Sequence, residues 1–364
     1  MKTEKSVPKY AELARWINEQ IQEKKMNAGQ KLYSENELRE MFGVSRQTVR
    51  RAIGLLEQEG ILRRVRGSGT YINDNRQVNL AKRMRISVVT TYVDGYIFPR
   101  MIRGIENVLL EGGYSVQIAF TNNQHGRERT ILEDIIRRDE VAGIVVETTK
   151  SAIPNPNLSL YRKIMERRIP ILFLNSFYPA LSIPHVSLND HMVGYEMTKY
   201  LIRMGHTKIG GIFKLDDLQG QIRCSGFADA MYESGLEIAD RNVLWLDTED
   251  VRHMEKQAGR ILERAAGCTA LFCYNDEVAY AVLDIFKKTG IRVPDDISVV
   301  GVDDANLATL GDVGITTIPH PMEQLGHKAS ENLLRMIRDP FFDANYEFEA
   351  RIVERDSVRR LHVR

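Results

Sequence analysis

Arg46, Gln47, Thr48 and Arg50 fall within five residues and are side chains able to read nucleic acid. On a helix Arg46 and Arg50 share a face, with Gln47 beside them and Thr48 in the first turn. A guanidinium fork chelates O6 and N7 of guanine, and a Gln amide pairs with adenine, so the set suits a major groove. The competing reading is a solvated polar face, which any surface helix has. A second group of polar residues recurs much later in the chain. It comprises Tyr92, Asp94 and Tyr96; Thr121, Asn122 and Asn123; Glu147 and Lys150; Asn175; Lys214 and Asp216; Asn275 and Asp276; and Asp303 and Asp304. Carboxylates, amides and ammonium groups that converge on a cleft suit a neutral polyhydroxylated ligand, whose hydroxyls each donate and accept. Phe98 or Tyr96 can stack on the apolar C–H face of a sugar ring. The alternative is that such positions are polar because they reach solvent.

The elements that must position the first set are short. Tyr10, Leu13, Ile17 and Ile21 form one apolar stripe, predicting a helix over about 9–25 that breaks at Asn27-Ala28-Gly29. Ser34 and Glu37 form a capping box opening a helix that carries Leu38, Met41 and Phe42, and Gly43 ends it. Ser45 caps a third helix, running to about Glu59, with Val49, Ala52, Ile53 and Leu56 inward. Strand 61–65, turn 66–69 and strand 70–72 then make a basic hairpin, a wing. Its glycines, Gly67 among them, let the backbone approach a phosphate or minor groove, where Arg66 is placed to insert. A hairpin that merely closes the small core explains Leu62, Val65 and Ile72 but not Arg63, Arg64 and Arg66. Residues 74–85 are polar, basic and aperiodic, as in a tether.

From Ile86 onward, short apolar strands alternate with helical stretches, near 86–90, 116–120, 143–147 and 171–175, then 209–213, 243–246, 270–274 and 298–302. Repeated β-α units imply parallel sheets with helices on both faces, in two blocks near 86–185 and 186–318. Ligands in such folds bind beyond the carboxyl ends of strands, where the second polar set falls.

The 364 residues suffice for two or three domains, and the formal net charge of +1 hides an uneven distribution. Residues 1–85 hold 18 Lys and Arg against 10 Asp and Glu, about +8, which leaves about −7 for the rest. A basic module ahead of an acidic body places a polyanion at the first part alone, though chance asymmetry would look the same. Cys224, Cys268 and Cys273 have no C-x-x-C pairing or nearby His at ligand spacing, as expected of reduced thiols in a cytoplasmic protein without a metal site. No apolar signal core or stretch of about 20 apolar residues points to export or a membrane. No G-x-S-x-G or Walker A sequence offers catalysis, and His185, His191, His206 and His253 lack an evident nucleophile. The expectation is a protein that is not an enzyme and needs no cofactor.

Leu32-Tyr33-Ser34-Glu35-Asn36-Glu37-Leu38, Phe42-Gly43-Val44-Ser45-Arg46-Gln47-Thr48-Val49-Arg50-Arg51-Ala52 and Gly67-Ser68-Gly69-Thr70-Tyr71 resemble the winged-helix domain of the GntR family. Tyr33 replaces that family's Pro and leaves the cap intact. The resemblance implies that Arg46, Arg50 and Arg66 contact bases or grooves, with Lys9 and Thr48 on phosphate. Gly205-His206-Thr207-Lys208-Ile209-Gly210-Gly211, Cys273-Tyr274-Asn275-Asp276-Glu277 and Pro294-Asp295-Asp296-Ile297-Ser298-Val299-Val300-Gly301-Val302-Asp303-Asp304 resemble the effector domain of LacI/GalR regulators, which shares its fold with periplasmic sugar-binding proteins. That resemblance implies Arg223, Asn275 and Asp303 as sugar-hydroxyl ligands and His320 at a fourth position, where the family usually has Gln. The combination, with Tyr96-Ile97-Phe98-Pro99, Glu147-Thr148-Thr149-Lys150 and Phe213-Lys214-Leu215-Asp216-Asp217, resembles the bacterial arabinose repressors and implies L-arabinose as effector. Residue chemistry alone does not choose among pentoses and hexoses, and a purine remains the alternative ligand.

The resulting expectation has three parts. Residues 1–73 form a winged helix-turn-helix (α+β), 74–85 a linker, and 86–364 an α/β periplasmic-binding-protein-like domain of two Rossmann-like lobes that binds effector and dimerises. The partners implied are a sugar, a second copy of the chain and a near-palindromic operator in double-stranded DNA. Sugar binding would release the operator.

Overall fold

A computed structural model of the chain describes residues 8–361 with the exception of 24, 59, 66, 74–83, 93–95 and 139. Arg66, Asp94 and most of the proposed tether therefore lie outside the described residues.

The amino-terminal unit is three helices and a hairpin. Helix α1 (Lys9–Gln22) buries Leu13, Ala14 and Ile17. It stops short of the expected residue 25 because the amides of Lys25 and Met26 both return to the Gln20 carbonyl, folding Met26 into the core. Helix α2 (Glu35–Phe42) starts at the predicted box: Ser34 Oγ accepts from the Glu37 amide at 3.2 Å, and Glu37 Oε2 accepts from the Ser34 amide at 2.6 Å. Gly43, at φ +59°, ends it in the left-handed conformation that glycine adopts most readily. Leu38 is fully buried and Phe42 meets Trp16 edge-on at 4.9 Å, whereas Met41 faces solvent. Helix α3 (Arg46–Gln58) follows, with Ser45 Oγ accepting the Thr48 amide at 3.1 Å. Strands β1 (Leu62–Val65) and β2 (Gly69–Ile72) pair antiparallel, Leu62 opposite Ile72, and both of these residues join the core of Leu38, Val49, Ile53 and Leu56.

The body contains two parallel sheets. The chain runs through β3 (Arg85–Thr90), α4 (Phe98–Glu111), β4 (Ser115–Phe120), α5 (His125–Arg138), β5 (Gly143–Glu147), α6 (Leu158–Glu166), β6 (Ile171–Leu174) and β7 (His185–Leu188). A second lobe holds α7 (Asp190–Arg203), β8 (Ile209–Lys214), α8 (Leu218–Glu233), β9 (Val243–Leu246), α9 (Thr248–Arg252), α10 (Ala258–Ala265), β10 (Ala270–Cys273), α11 (Asp276–Thr289) and β11 (Ser298–Val300). Helix α12 (Met322–Arg338) and β12 (Tyr346–Phe348) return to the first lobe. The sheet orders are β12-β7-β6-β5-β3-β4 and β11-β10-β8-β9.

The blocks expected near 86–185 and 186–318 correspond to the two lobes, but the first lobe also takes α12 and β12 from beyond residue 318. The chain passes between the lobes after β7, between Ile318 and α12, and again after β12, where Ile352 and Val358 pack into the second core. The three-residue β12 is too short for its alternation to be read. Arg85, assigned to the tether, is already the first residue of β3 and pairs with Ser115.

Each lobe contains a pair of helices crossing at glycines. A Cβ on Gly104 of α4 would lie 2.2 Å from the Glu323 carbonyl oxygen, and one on Gly326 of α12 equally close to that of Met101. Gly194 of α7 and Gly226 of α8 meet the carbonyl oxygens of Arg223 and His191 at 2.0 Å in the same way. These contacts fix α4 and α8, which carry the cleft residues Phe98, Gln219 and Arg223.

Candidate effector cleft and nucleic-acid interface

Between the lobes lies a cavity of about 340 Å³, lined from both sides at the carboxyl ends of the strands. Tyr96, Asn122, Asn123, Lys150, Asn175, Asp303 and Asp304 all take positive φ, so local backbone strain gathers around this cleft.

Glu147, the last residue of β5, anchors one wall. Its Oε2 accepts from Thr90 Oγ1 at 2.8 Å, the Thr91 amide at 2.7 Å and Thr91 Oγ1 at 2.6 Å, while Oε1 accepts from Asn175 Nδ2 at 3.1 Å. Burial pushes this carboxyl above its ordinary range against the pull of those donors. With its amino group spent on Glu147, Asn175 presents Oδ1 to Gln219 Nε2 at 3.2 Å and to His320 Nε2 at 2.7 Å. Nε2 of His320 therefore carries the proton. Burial drives the ring's pKa down to about 4, so it is neutral, and its Nδ1 is a buried lone pair with no hydrogen-bond partner.

The opposite wall is built on Arg223, 1% exposed. Its Nε donates to Asp190 Oδ1 at 2.7 Å, its Nη1 to the Tyr274 carbonyl at 2.7 Å, and its guanidinium lies 5.0 Å from the Tyr274 ring centre. Burial raises Asp190 to about 6 although Arg223 opposes it, so the pair is ionised at neutral pH. Tyr96 of the first lobe donates to Asp303 Oδ2 of the second at 2.5 Å, a strap across the opening. Asp303 Oδ1, 3.9 Å from Arg223 Nη2, has no hydrogen-bond partner, and neither does the buried hydroxyl of Thr148.

Of the nine residues expected here, Tyr96, Phe98, Glu147, Lys214, Arg223, Asn275, Asp303 and His320 line the cavity. Lys150 does not. Its amide donates to Asn123 Oδ1 at 2.8 Å, and its ammonium turns to the buried Asp216 at 3.7 Å. Lys214 is held by Asp217 at 2.8 Å, and Asn275 caps α11 through its Oδ1.

On the winged helix, Arg46 and Arg50 sit side by side in the first turns of α3 and are well exposed, as are Gln47 and, at the start of α1, Lys9. Thr48 Oγ1 shares a 2.8 Å hydrogen bond with Ser45 Oγ. Glu35 holds both guanidinium groups, from Arg46 Nε at 3.1 Å and Arg50 Nε at 3.0 Å. Despite partial burial, those two hydrogen bonds keep its carboxyl below the usual range. Gly67 stands at φ +78° at the exposed wing tip, and Arg63 lies over the Tyr71 ring.

Residues 9–72 match the family described as bacterial regulatory proteins, gntR family, and residues 198–358 match the periplasmic binding protein-like domain. The arabinose metabolism transcriptional repressor of Geobacillus stearothermophilus is 38% identical over 98% of this chain and 100% of its own length. The chain belongs to that repressor family. The repressor of the same description from Halalkalibacterium halodurans is 38% identical over 89% of this chain and 88% of its own. Among solved structures, the regulator CcpA of Lactococcus lactis superposes with a TM-score of 0.68 at 22% identity, covering 76% of this chain and 99% of that one. A CelR–cellobiose complex gives 0.66 at 20%, covering 86% and 91%. These confirm the fold of the body.

The repressor is a DNA-binding regulator and not an enzyme. Among its described residues no cluster of three His, Cys, Asp or Glu could hold a metal ion, and no helix is long and apolar enough to cross a membrane. Its cleft also uses residues that the site expectation left out. Tyr274 and Thr148 directly follow β10 and β5, so the strand-end rule reaches them. Gln219 and Arg252 lie on helices, beyond that rule. Glu35 was legible only as a helix-start residue, since its partners stand 11 and 15 residues away.

Proposed function

We propose that the repressor binds L-arabinose in the inter-lobe cleft and that the bound sugar releases a dimer from a near-palindromic operator in the cytoplasm. The observation that carries the ligand class is the set of buried, unpartnered polar atoms at the cleft: Thr148 Oγ1, Asp303 Oδ1 and His320 Nδ1. Buried polar groups left without a partner cost stability, and a polyhydroxylated ligand supplies the missing hydrogen bonds. The carboxylate and the neutral imidazole nitrogen both ask for hydroxyl donors. The names of the two relatives, each an arabinose metabolism transcriptional repressor, support arabinose as that sugar.

A purine fits this cleft less well. A flat base needs a parallel aromatic slot, but Tyr92 and Phe98 meet edge-on at 69°, and the Tyr274 ring is faced by Arg223. On the DNA side, Arg46, Gln47 and Arg50 read base edges, and Lys9, Thr48, Arg66 and Gly67 meet the backbone or minor groove. No cofactor takes part.

The test is operator affinity with and without sugar, together with thermal shifts against a panel of pentoses and hexoses. A selective shift with L-arabinose and a roughly 5- to 150-fold loss of operator affinity are expected. Equal operator affinity at saturating sugar would exclude induction.

A further inference from the structure

The winged helix rests against the first lobe at the carboxyl end of α12 and the turn after α6. Asn18 of α1, 3% exposed, donates from Nδ2 to the Arg338 carbonyl at 3.1 Å. Arg15 Nε lies 3.8 Å from Asp339 Oδ2. Phe341, half-buried, packs against the head's apolar core, the cluster containing Leu13, Ile17 and Ile53. The Asp339 side chain holds the Phe341 amide at 3.0 Å, which fixes the ring's approach. A second contact reaches the turn between α3 and the wing, where a Cβ on Gly60 would lie 3.2 Å from Arg168 Nη1.

The helix that ends in this contact begins at the cleft. Helix α12 has 17 residues, about 25 Å of length, and its first residue is two past His320. Its glycine crossing with α4, which begins at Phe98, makes the two helices one rigid pair with both amino ends at the ligand cavity. Arg46 and Arg50 take no part in the contact and remain exposed, so the docked head still presents its reading face.

We propose that Arg338, Asp339 and Phe341, with Arg168, form a docking surface for the repressor's own winged helix, and that α12 carries the state of the cleft to the placement of the head. Phe341 is then a positioning residue: it touches neither sugar nor DNA, but sets where the head stands on its lobe. Two heads held at a fixed separation bind two half-sites together, whereas undocked heads bind them with a loss of effective concentration. This inference rests on the dimeric, sugar-released reading above.

The experiment uses the full-length chain and the variants F341A, F341L, D339K and R15E/D339R. Affinity is measured for a two-half-site operator and for a single half-site duplex, each with and without L-arabinose, alongside sugar affinity and unfolding temperature. F341A is expected to bind the full operator about fivefold or more weakly and to show a sugar response shrunk toward one. Its single half-site and sugar affinities should stay within about twofold of the parent. F341L should retain most of the parent behaviour, and R15E/D339R should recover part of what D339K loses. If F341A does not fold, the two charge variants carry the comparison. Parent-like full-operator affinity and sugar response in both F341A and D339K would overturn the inference, as would an equal loss on the single half-site. A parent chain that ignores sugar would instead remove the induction reading, and the contrast between full and half operator would still judge the docking surface.

Discussion

Glu147→Gln should weaken sugar binding by more than the removal of one charge suggests. The side-chain oxygen of Gln must replace Oε2, which accepts three hydrogen bonds from Thr90 and Thr91. Its amide nitrogen then replaces Oε1 and faces Asn175 Nδ2, donor against donor. Asn175 escapes by turning its amide over, which withdraws Oδ1 from His320 and presents an amino group to Nε2. The imidazole answers by moving its proton to Nδ1, and the lone pair at the cleft becomes a donor. Leaving a buried neutral partner unsatisfied costs about 1–3 kcal/mol, so the expected loss in L-arabinose affinity is roughly 5- to 150-fold. Calorimetric titration measures it, and a double-mutant cycle with His320→Gln tests the route. The Gln amide can donate or accept, so the two changes should be non-additive by about 0.5–3 kcal/mol. Additive losses would refute the relay through Asn175, and parent-like affinity in Glu147→Gln would refute the role of the carboxylate.

Asp276 accepts from Thr317 Oγ1 and the Ala305 amide, and burial, aided by Asp303, lifts its pKa to about 8. A folded pKa above the unfolded value favours folding at low pH, and that contribution is lost as pH rises from about 4 through 8. Asp276→Asn should therefore flatten the fall in unfolding temperature between pH 5 and pH 9; a parent-like slope would contradict the shift. Arg46→Ala and Arg50→Ala should each cost about 1–3 kcal/mol of operator affinity in a gel-shift titration, with relaxed preference at the contacted base pair. Glu35→Gln frees both guanidinium groups and removes an anion from the reading face, so binding to random duplex should strengthen while discrimination in favour of the operator falls. Gly104→Ala forces apart α4 and α12 against a backbone carbonyl and should destabilise the chain by about 1–3 kcal/mol in urea unfolding.

The helix-turn-helix was readable because its signals are local. The Ser34–Glu37 box, Gly43 and Ser45 each act within four residues, and the structure reproduces them. The cleft was readable by a rule of position, since residues just past parallel strands gather wherever the sheet ends. The sequence left open which of them face the ligand and which serve one another. Lys150 is drawn to Asp216 by an ion pair across 66 positions, and nothing in the local pattern announces that. The return of the chain to the first lobe stayed hidden for a similar reason. β12 is three residues long and joins its sheet only because β7 offers a free edge, a pairing across about 160 positions.

Because the first sheet receives β12 from beyond residue 345, that lobe is completed late in synthesis. Domains generally fold as units as they leave the ribosome, so the winged helix can be finished while the sensing body is still half made. A nascent or prematurely ended polypeptide would hold a competent reader of DNA with no means of hearing the nutrient. Late closure of the first lobe thus makes the answer to sugar a property of the completed polypeptide alone.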